Sequence, residues 1–470
     1  MTHGNSFAKV RSIVSPASTD VSEMCGKNSY EPELTIAVIG SGPSGCYAAA
    51  FLAKALPRSV ITIFESLPTP YGLVRYGIAA DHQGAKNVTR QFDRLFTRDG
   101  VRFAGNVSVG EDIDFVKLAS CFDVVVLATG LPHDRPLDIP QEDGTQVIGA
   151  GALLRAFNGY PMEVIPRNSD GRYAALGRNL AVVGMGNVAI DVVRLLSKDP
   201  QDLHGSDIND ELFEQLRPAR PSNIHVISRS TVSQAKFDLA MMRELLSLPN
   251  IDVTVTGLDD RDNGPAADLL RPFTETDATS IPSMNPRTNV RLHFQLVPDA
   301  IASADDHMIL RASRQSRINN MIEIAVDSVV TAIGFTNGSP NNQCCPNADW
   351  SGANVYRVGW LNRGAQGAIP ENRKDARRVV DNIVADVASG RLSAGRPGFA
   401  AAEVLLGDVV TFTDWQQIEA FEQKSAPPDR CRRKVTDRER MLRIASTSVI
   451  TDPTHRENAI RGEFQAELQS

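Results

Sequence analysis

At 470 residues the chain is about three domains' worth on the usual length prior, long enough to bury a core without a disulfide or metal staple. An apolar fraction of 42% with 22% charged residues excludes a mainly disordered or fibrous chain, and a net charge of −7 argues against nucleic-acid binding by the surface as a whole. No apolar run approaches the roughly 18–20 residues that span a bilayer, so an integral membrane protein is excluded.

Residues 1–33 mix Ser, Thr, Asn and Gly with charge and show no periodicity, which predicts a flexible N-terminal extension. It lacks the apolar stretch of a signal peptide, and Asp20, Glu23, Glu31 and Glu33 make it too acidic for a transit peptide. Leu34 to Gly40 is apolar on both faces, as a buried parallel strand is. Gly40-Ser-Gly42-Pro43-Ser44-Gly45 follows, then a helical pattern from Cys46 to Leu56 stopped by Pro57, then a strand from Ser59 to Glu65. This is a βαβ unit. Phe122 to Gly130 reads as a strand entering a glycine turn.

A second unit begins with a strand from Asn179 to Gly184, a turn Gly184-Met185-Gly186-Asn187-Val188-Ala189 and a helix from Ile190 to Ser197. Further strands are expected at Asn223–Ser228, Ile251–Val255 and Asn289–Val297. Asp327 to Gly334 repeats the wording of Phe122 to Gly130. Pro- and Asp-rich stretches at 132–145, 200–222 and 258–288 read as connections or insertions. The pattern predicts an α/β chain of two Rossmann-like dinucleotide-binding domains, the second inserted in a discontinuous first: 34–145 with 330–470, and 146–329.

The residue types explain what such turns bind. Gly40 permits a tight turn, Gly42 lets backbone approach a pyrophosphate, and Gly45 lets the helix pack on the strand, with the helix N-terminus facing the phosphates. Glu65 ends the next strand, where a carboxylate accepts bonds from ribose hydroxyls, and Ala128-Thr129-Gly130 closes the unit at the spacing usual for two-dinucleotide flavoproteins. FAD is therefore expected in the first unit. In the second, Ala189 replaces the third glycine, and the following strand ends in Ser228-Arg229-Ser230 with no acid to hold a ribose diol. Arg229, helped by Ser230, suits a 2′-phosphate, which favours NADPH over NADH. The cysteines (Cys25, Cys46, Cys121, Cys344, Cys345 and Cys431) form no C-x-x-C. Enzymes that need a dithiol beside the flavin are thereby excluded, and a reducing, cytoplasmic setting is expected. The vicinal pair Cys344–Cys345 reads as coincidence.

The segment Pro68-Thr-Pro-Tyr71-Gly72-Leu73-Val74-Arg75-Tyr-Gly77-Ile-Ala-Ala-Asp81-His82 closely resembles a block of the adrenodoxin reductase type of ferredoxin–NADP(+) reductase. Gly184 to Val192 and Gly359-Trp360 to Gly367-Ala368-Ile369 resemble two further blocks, and the tail around Trp415 is similar to bacterial members. The resemblance implies flavin contacts at Ser44, Glu65, Gly72, Leu73, Val109, Trp360 and Gly367 to Ile369. For the nicotinamide coenzyme it implies Met185 to Val188, Arg229, Ser230 and Gly367. It places His82 and Glu244 near hydride transfer. Expected partners are a small acidic iron–sulfur ferredoxin, with a cytochrome P450 as one downstream acceptor. Arg217, Arg220 and Arg243, or Arg373, Lys374, Arg377 and Arg378, are the candidate basic docking faces.

This chain also departs from the pattern. A second arginine for the 2′-phosphate is Ser230 here, a family glutamate is Met241, a tryptophan is Ala156 and a valine is Ala368. One charge-assisted bond fewer forfeits roughly 1.5–3 kcal/mol of NADPH preference. Two other readings use the same turns: a flavin-dependent NAD(P)H oxidase or monooxygenase-type enzyme, and a non-catalytic nucleotide-binding protein. A glutamate-synthase-like input subunit is disfavoured because no cysteine-rich segment precedes residue 34.

Overall fold

A computed structural model describes residues 33–162, 165, 167–168, 170–274, 287–314, 321–338 and 349–446. The 1–33 extension, Glu33 aside, and the Cys344–Cys345 pair lie outside these residues.

The first unit runs β1 (Thr35–Ile39), helix α1 (Pro43–Ala55), β2 (Val60–Phe64), β3 (Arg102–Ala104) and β4 (Val124–Leu127). The chain then passes through β5 (His133–Asp134) into β6 (Val147–Gly149), β7 (Asn179–Val183), helix α2 (Asn187–Ser197), β8 (Asn223–Ile227), helix α3 (Leu239–Leu246), β9 (Ile251–Thr256) and β10 (Thr288–His293). Next come β11 (Leu296–Ser303), β12 (Met308–Arg314), β13 (Met321–Val326), β14 (Ser328–Thr331), β15 (Phe335–Thr336), β16 (Val355–Arg357) and helix α4 (Ile369–Ala388).

Two parallel sheets result, in the orders β16-β4-β1-β2-β3 and β6-β14-β7-β8-β10-β9. β14 of the second sheet spans residue 330. Val, Ile and Leu on both faces of the central strands fit full coverage, helices packing on each side. The two units repeat one backbone detail. Gly40 follows β1 at φ +105°, and a Cβ there would lie 2.5 Å from the Ala128 carbonyl; Gly184 follows β7 at φ +113°, and a Cβ would lie 2.2 Å from the Ala332 carbonyl. Both glycines are obligatory because neighbouring strand ends cross directly over the turn.

The strand expected over Asn289–Val297 is two strands in two sheets. The parallel ladder ends at His293, and the chain turns through Gln295 at φ +56° into β11 of an antiparallel sheet β11-β12-β13. That sheet covers the face of Ala181, Val183 and Ile227. The stretches read as connections also hold helices, Asp210–Leu216 and Pro265–Leu270; Asn209 Oδ1 caps the former, accepting from Leu212 N at 3.2 Å.

The segment after β2 crosses to the second unit. Ala79 and Ala80 are fully buried among the second unit's apolar side chains, Asp207 N donates to the Ala80 carbonyl (3.1 Å), and Asn158 Nδ2 donates to the Ile78 carbonyl (2.9 Å). Lys86 Nζ meets Asp207 at 2.6 Å in the same buried patch, where Lys434 also reaches Asp207 at 2.8 Å.

His225 on β8 and His293 on β10 stack with ring centroids 5.3 Å apart and share a 3.1 Å hydrogen bond. Burial holds both imidazoles down, to about 4 and about 3. The unfolded chain then binds protons near pH 6.5 that the folded chain refuses. Stability is complete above that pH and falls on acidification toward pH 4. Thermal midpoints between pH 8 and 5 should drop less in His225→Gln than in the parent chain; an equal drop removes the pair as the cause.

Candidate functional site

Both glycine turns deliver a helix whose first N–H groups take no side-chain cap among the described residues. α1 is capped by Gly42 and α2 by Gly186; neither has a side-chain cap bond or an acid in its first turn. Pro43 sits at the first position of α1, where its missing N–H costs nothing. Cβ atoms built at Gly42, Gly130 and Gly186 meet nothing within 4 Å, whereas one at Gly45 would lie 2.0 Å from the Gly40 carbonyl. Gly40, Gly45 and Gly184 therefore serve packing, and Gly42, Gly130 and Gly186 front open space beside exposed helix dipoles.

Around the first turn, Glu65 accepts from Ser41 N (3.0 Å) and Ser41 Oγ (2.5 Å), and Ser41 Oγ in turn accepts from Tyr71 N at 3.0 Å. This fixes the carboxylate at the end of β2. It also seats Tyr71 (φ +82°) and Gly72 (φ +48°) over the turn, with a Gly72 Cβ position 3.2 Å from Gly42 Cα. Leu73 and Ser44 lie beside them. Gly359, at φ +74°, faces Ser44, whose Oγ a Cβ would meet at 2.0 Å, and so places Trp360. The indole stacks on Phe335 (5.2 Å), and its buried Nε1 has no partner among the described residues. Gly367 (φ +76°), Ala368 and Ile369 start α4, where Ala368 N donates to Glu371 (3.1 Å). Val109 stands apart, paired with Ile113 and half-buried in the cluster of Ile39, Phe64 and Leu118. Ala128 and Thr129 follow β4 directly under Gly40.

Around the second turn, Met185 is buried and Val188 packs on the core, while Asn187 Oδ1 accepts from Asp238 N at 2.7 Å. Asp238 caps α3 through Ala240 N (2.7 Å), so hydrogen bonds tie the turn to the start of α3. Arg229 is exposed and makes no ion pair among the described residues; Ser230 is held by Ser228 and by Gln295 N at 3.1 Å.

His82 and Glu244, 162 positions apart, meet between the units, with His82 Nε2 3.1 Å from Glu244 Oε2. Four residues not picked out from sequence complete the group. Asp191 Oδ1 lies 3.4 Å from His82 Nδ1, and Arg194 reaches Asp81, Asp191 (3.0 Å) and Glu244 (3.1 Å). Lys198 meets Asp81 at 2.6 Å. Burial alone would raise the Asp81 carboxyl, but Arg194 and Lys198 outweigh it and hold it well below the carboxylate range; Asp191, where burial prevails, is raised. The one sequence signal was spacing, Asp191 and Arg194 being i,i+3 on α2.

Of the basic candidates, Arg217 is buried, donating to the Lys198 carbonyl (3.0 Å) and lying over the Phe213 ring, and Arg220 pairs with Asp199 at 2.9 Å. Neither belongs to an open cationic face. Arg243, Arg373, Lys374, Arg377 and Arg378 are exposed, although Arg377 covers the Phe51 ring and Arg378 pairs with Asp375.

Two open helix starts, one carboxylate at a strand end and an unpartnered indole nitrogen fit two dinucleotides, one of them with a flavin. No group of metal-ligating side chains, and no helix long and apolar enough to cross a membrane, occurs among the described residues.

The family model described as pyridine nucleotide-disulphide oxidoreductase matches residues 34–219. Cindoxin reductase of Citrobacter braakii is 40% identical over 443 residues, covering 91% of this chain and 95% of that one. The NADPH-ferredoxin reductase FprA of Mycobacterium tuberculosis is 31% identical, covering 87% and 98%. Its structure in complex with NADPH superposes with a TM-score of 0.76 at 29% identity, covering 88% and 99%. The chain belongs to the adrenodoxin reductase-type ferredoxin–NADP(+) reductase family, and is an oxidoreductase of that kind with FAD and NADPH as its cofactors.

Proposed function

We propose that this chain carries reducing equivalents from NADPH through FAD to a small acidic iron–sulfur protein, FAD lying on the first unit and NADPH on the second. The observation that supports it most is the His82–Glu244 pair, 3.1 Å across the seam between the two open turns. When bound, the nicotinamide gives up a hydride and the flavin releases electrons singly. The chain's own work is alignment. The N–H groups at the starts of α1 and α2 hold the two pyrophosphates, Glu65 takes ribose hydroxyls, and Trp360 with Gly367 to Ile369 covers the flavin ring. Arg229 takes the 2′-phosphate. His82 and Glu244 hold a proton between Nε2 and Oε2 beside the reacting rings.

For the partner, the exposed cations Arg373 and Lys374, one turn along α4 from Ile369, suit an acidic protein despite the chain's overall negative charge. Cindoxin reductase and the NADPH-ferredoxin reductase support a small redox protein, cindoxin or ferredoxin, as acceptor by their names. A cytoplasmic setting accords with the scattered cysteines. In anaerobic stopped flow, NADPH should bleach the yellow protein, and an acidic [2Fe–2S] ferredoxin added next should restore the colour. Flavin that stays oxidised with NADPH ends the proposal.

Arg229→Ala should raise the NADPH KM about ten- to a hundredfold, the loss of one charge-assisted pair, and leave the NADH KM within about twofold. Equal changes for both coenzymes would take the 2′-phosphate away from Arg229.

A further inference from the structure

We propose that Arg194 is a positioning residue for His82: from the buried side of α2 it holds the carboxylates of Asp191 and Glu244 against the two ring nitrogens. This rests on the functional reading above. Its guanidinium is 0% exposed. Nη2 donates to Asp191 Oδ1 (3.0 Å) and Asp81 Oδ1 (2.9 Å), while Nη1 meets the other Asp81 oxygen and Glu244 Oε1 at 3.1 Å.

The arrangement does more than neutralise buried charge. Asp81 already has Lys198 at 2.6 Å, and Glu244, on another helix and 39% exposed at its side chain, has water within reach. A guanidinium spent only on burial has no need of Glu244. Reaching it leaves Glu244 Oε2 free for His82 Nε2 and turns Asp191 Oδ1 toward His82 Nδ1. The charged groups that meet the imidazole are Asp191 and Glu244, and those linked to them are Arg194, Asp81 and Lys198. Three carboxylates this close repel one another unless a cation lies between them, and one would otherwise take up a proton and cease to accept from the ring. Only a planar fork serves all three at once; an ammonium at this site has the charge without the geometry.

Asp81 and His82 are consecutive, and α2 begins at the coenzyme turn. Arg194 therefore also sets where the imidazole stands relative to the open end of α2, across the boundary between the units.

A double-mutant cycle tests this on the flavin-loaded protein. Flavin reduction by NADPH should slow about tenfold in Arg194→Gln, yet by less than about twofold when Arg194→Gln is added to His82→Gln. An equal factor in both backgrounds overturns the proposal. A second readout needs no turnover. In coenzyme-free protein, the NMR titration midpoint of the His82 ring should move by more than about half a pH unit in Arg194→Gln, while that of His307, half-exposed and paired with Asp306, stays fixed. An unmoved His82 midpoint also overturns it. If Arg194→Gln is not recovered folded, Arg194→Lys replaces it in both experiments with the same criteria. Wild-type protein that NADPH fails to bleach overturns the functional reading itself; bleaching with additive losses overturns this inference alone.

Discussion

Gly42→Val should yield a folded chain that is colourless. Gly42 has φ −65° and ψ 178°, open to any L-residue, and a Cβ there meets no protein atom within 4 Å. The fold leaves the Cβ position open. The space the valine fills is the approach to the open N–H groups of α1, where the flavin's pyrophosphate is proposed to lie, so affinity for FAD should fall at least about a hundredfold, or ~2.7 kcal/mol. Absorbance near 450 nm reports occupancy, and the thermal midpoint of the flavin-free protein reports folding. A yellow Gly42→Val protein would falsify the assignment of FAD to this turn. Gly40→Val behaves differently, because φ +105° and the Ala128 carbonyl 2.5 Å away make it a folding defect.

Gly186→Val is the matching experiment on the second unit, with the opposite colour. Gly186 has φ −95° and ψ −176° and open space at its Cβ. The variant should be recovered yellow and refuse NADPH, its KM rising at least about a hundredfold while photoreduction of the flavin continues normally. Normal bleaching by NADPH would move the coenzyme away from α2. The two valines together separate the cofactors by unit, which no change in His82 or Glu244 can do, since those residues join the units.

Much of this was legible because local rules and the global fold agree. The strands at Thr35–Ile39 and Asn179–Val183 are apolar on both faces, and each ends in the one residue that can turn under a neighbouring carbonyl. The break at Gln295 was not legible, since Val290, Leu292, Phe294 and Leu296 run through it in one unbroken apolar alternation and only a tertiary contact decides that the second half pairs with β12. The candidate site divides the same way. Glycine turns announce themselves over a few residues, whereas His82 and Glu244 are brought together by tertiary contacts, Ala79 and Ala80 carrying one into the second unit and Asp238, held by Asn187, capping the helix that bears the other. Of the three carboxylates that enclose Arg194, only Asp191 is near it in sequence; Asp81 and Glu244 come from distant segments that nothing local announces. Arg217 taught the converse: a cation amid Pro and Asp residues reads as solvated, and packing on Phe213 encloses it instead.

The crossing of Ala79 and Ala80 bears on how such proteins can be recombined. An exchange of residues 146–329 for a relative's equivalent cuts through a core, because the donor segment arrives shaped around someone else's alanines, and Asp207 arrives without its own Lys86 and Lys434. Grafts that also transplant 78–86 and the stretch around Lys434 keep the surfaces matched, and should be the ones that survive in a library of hybrids.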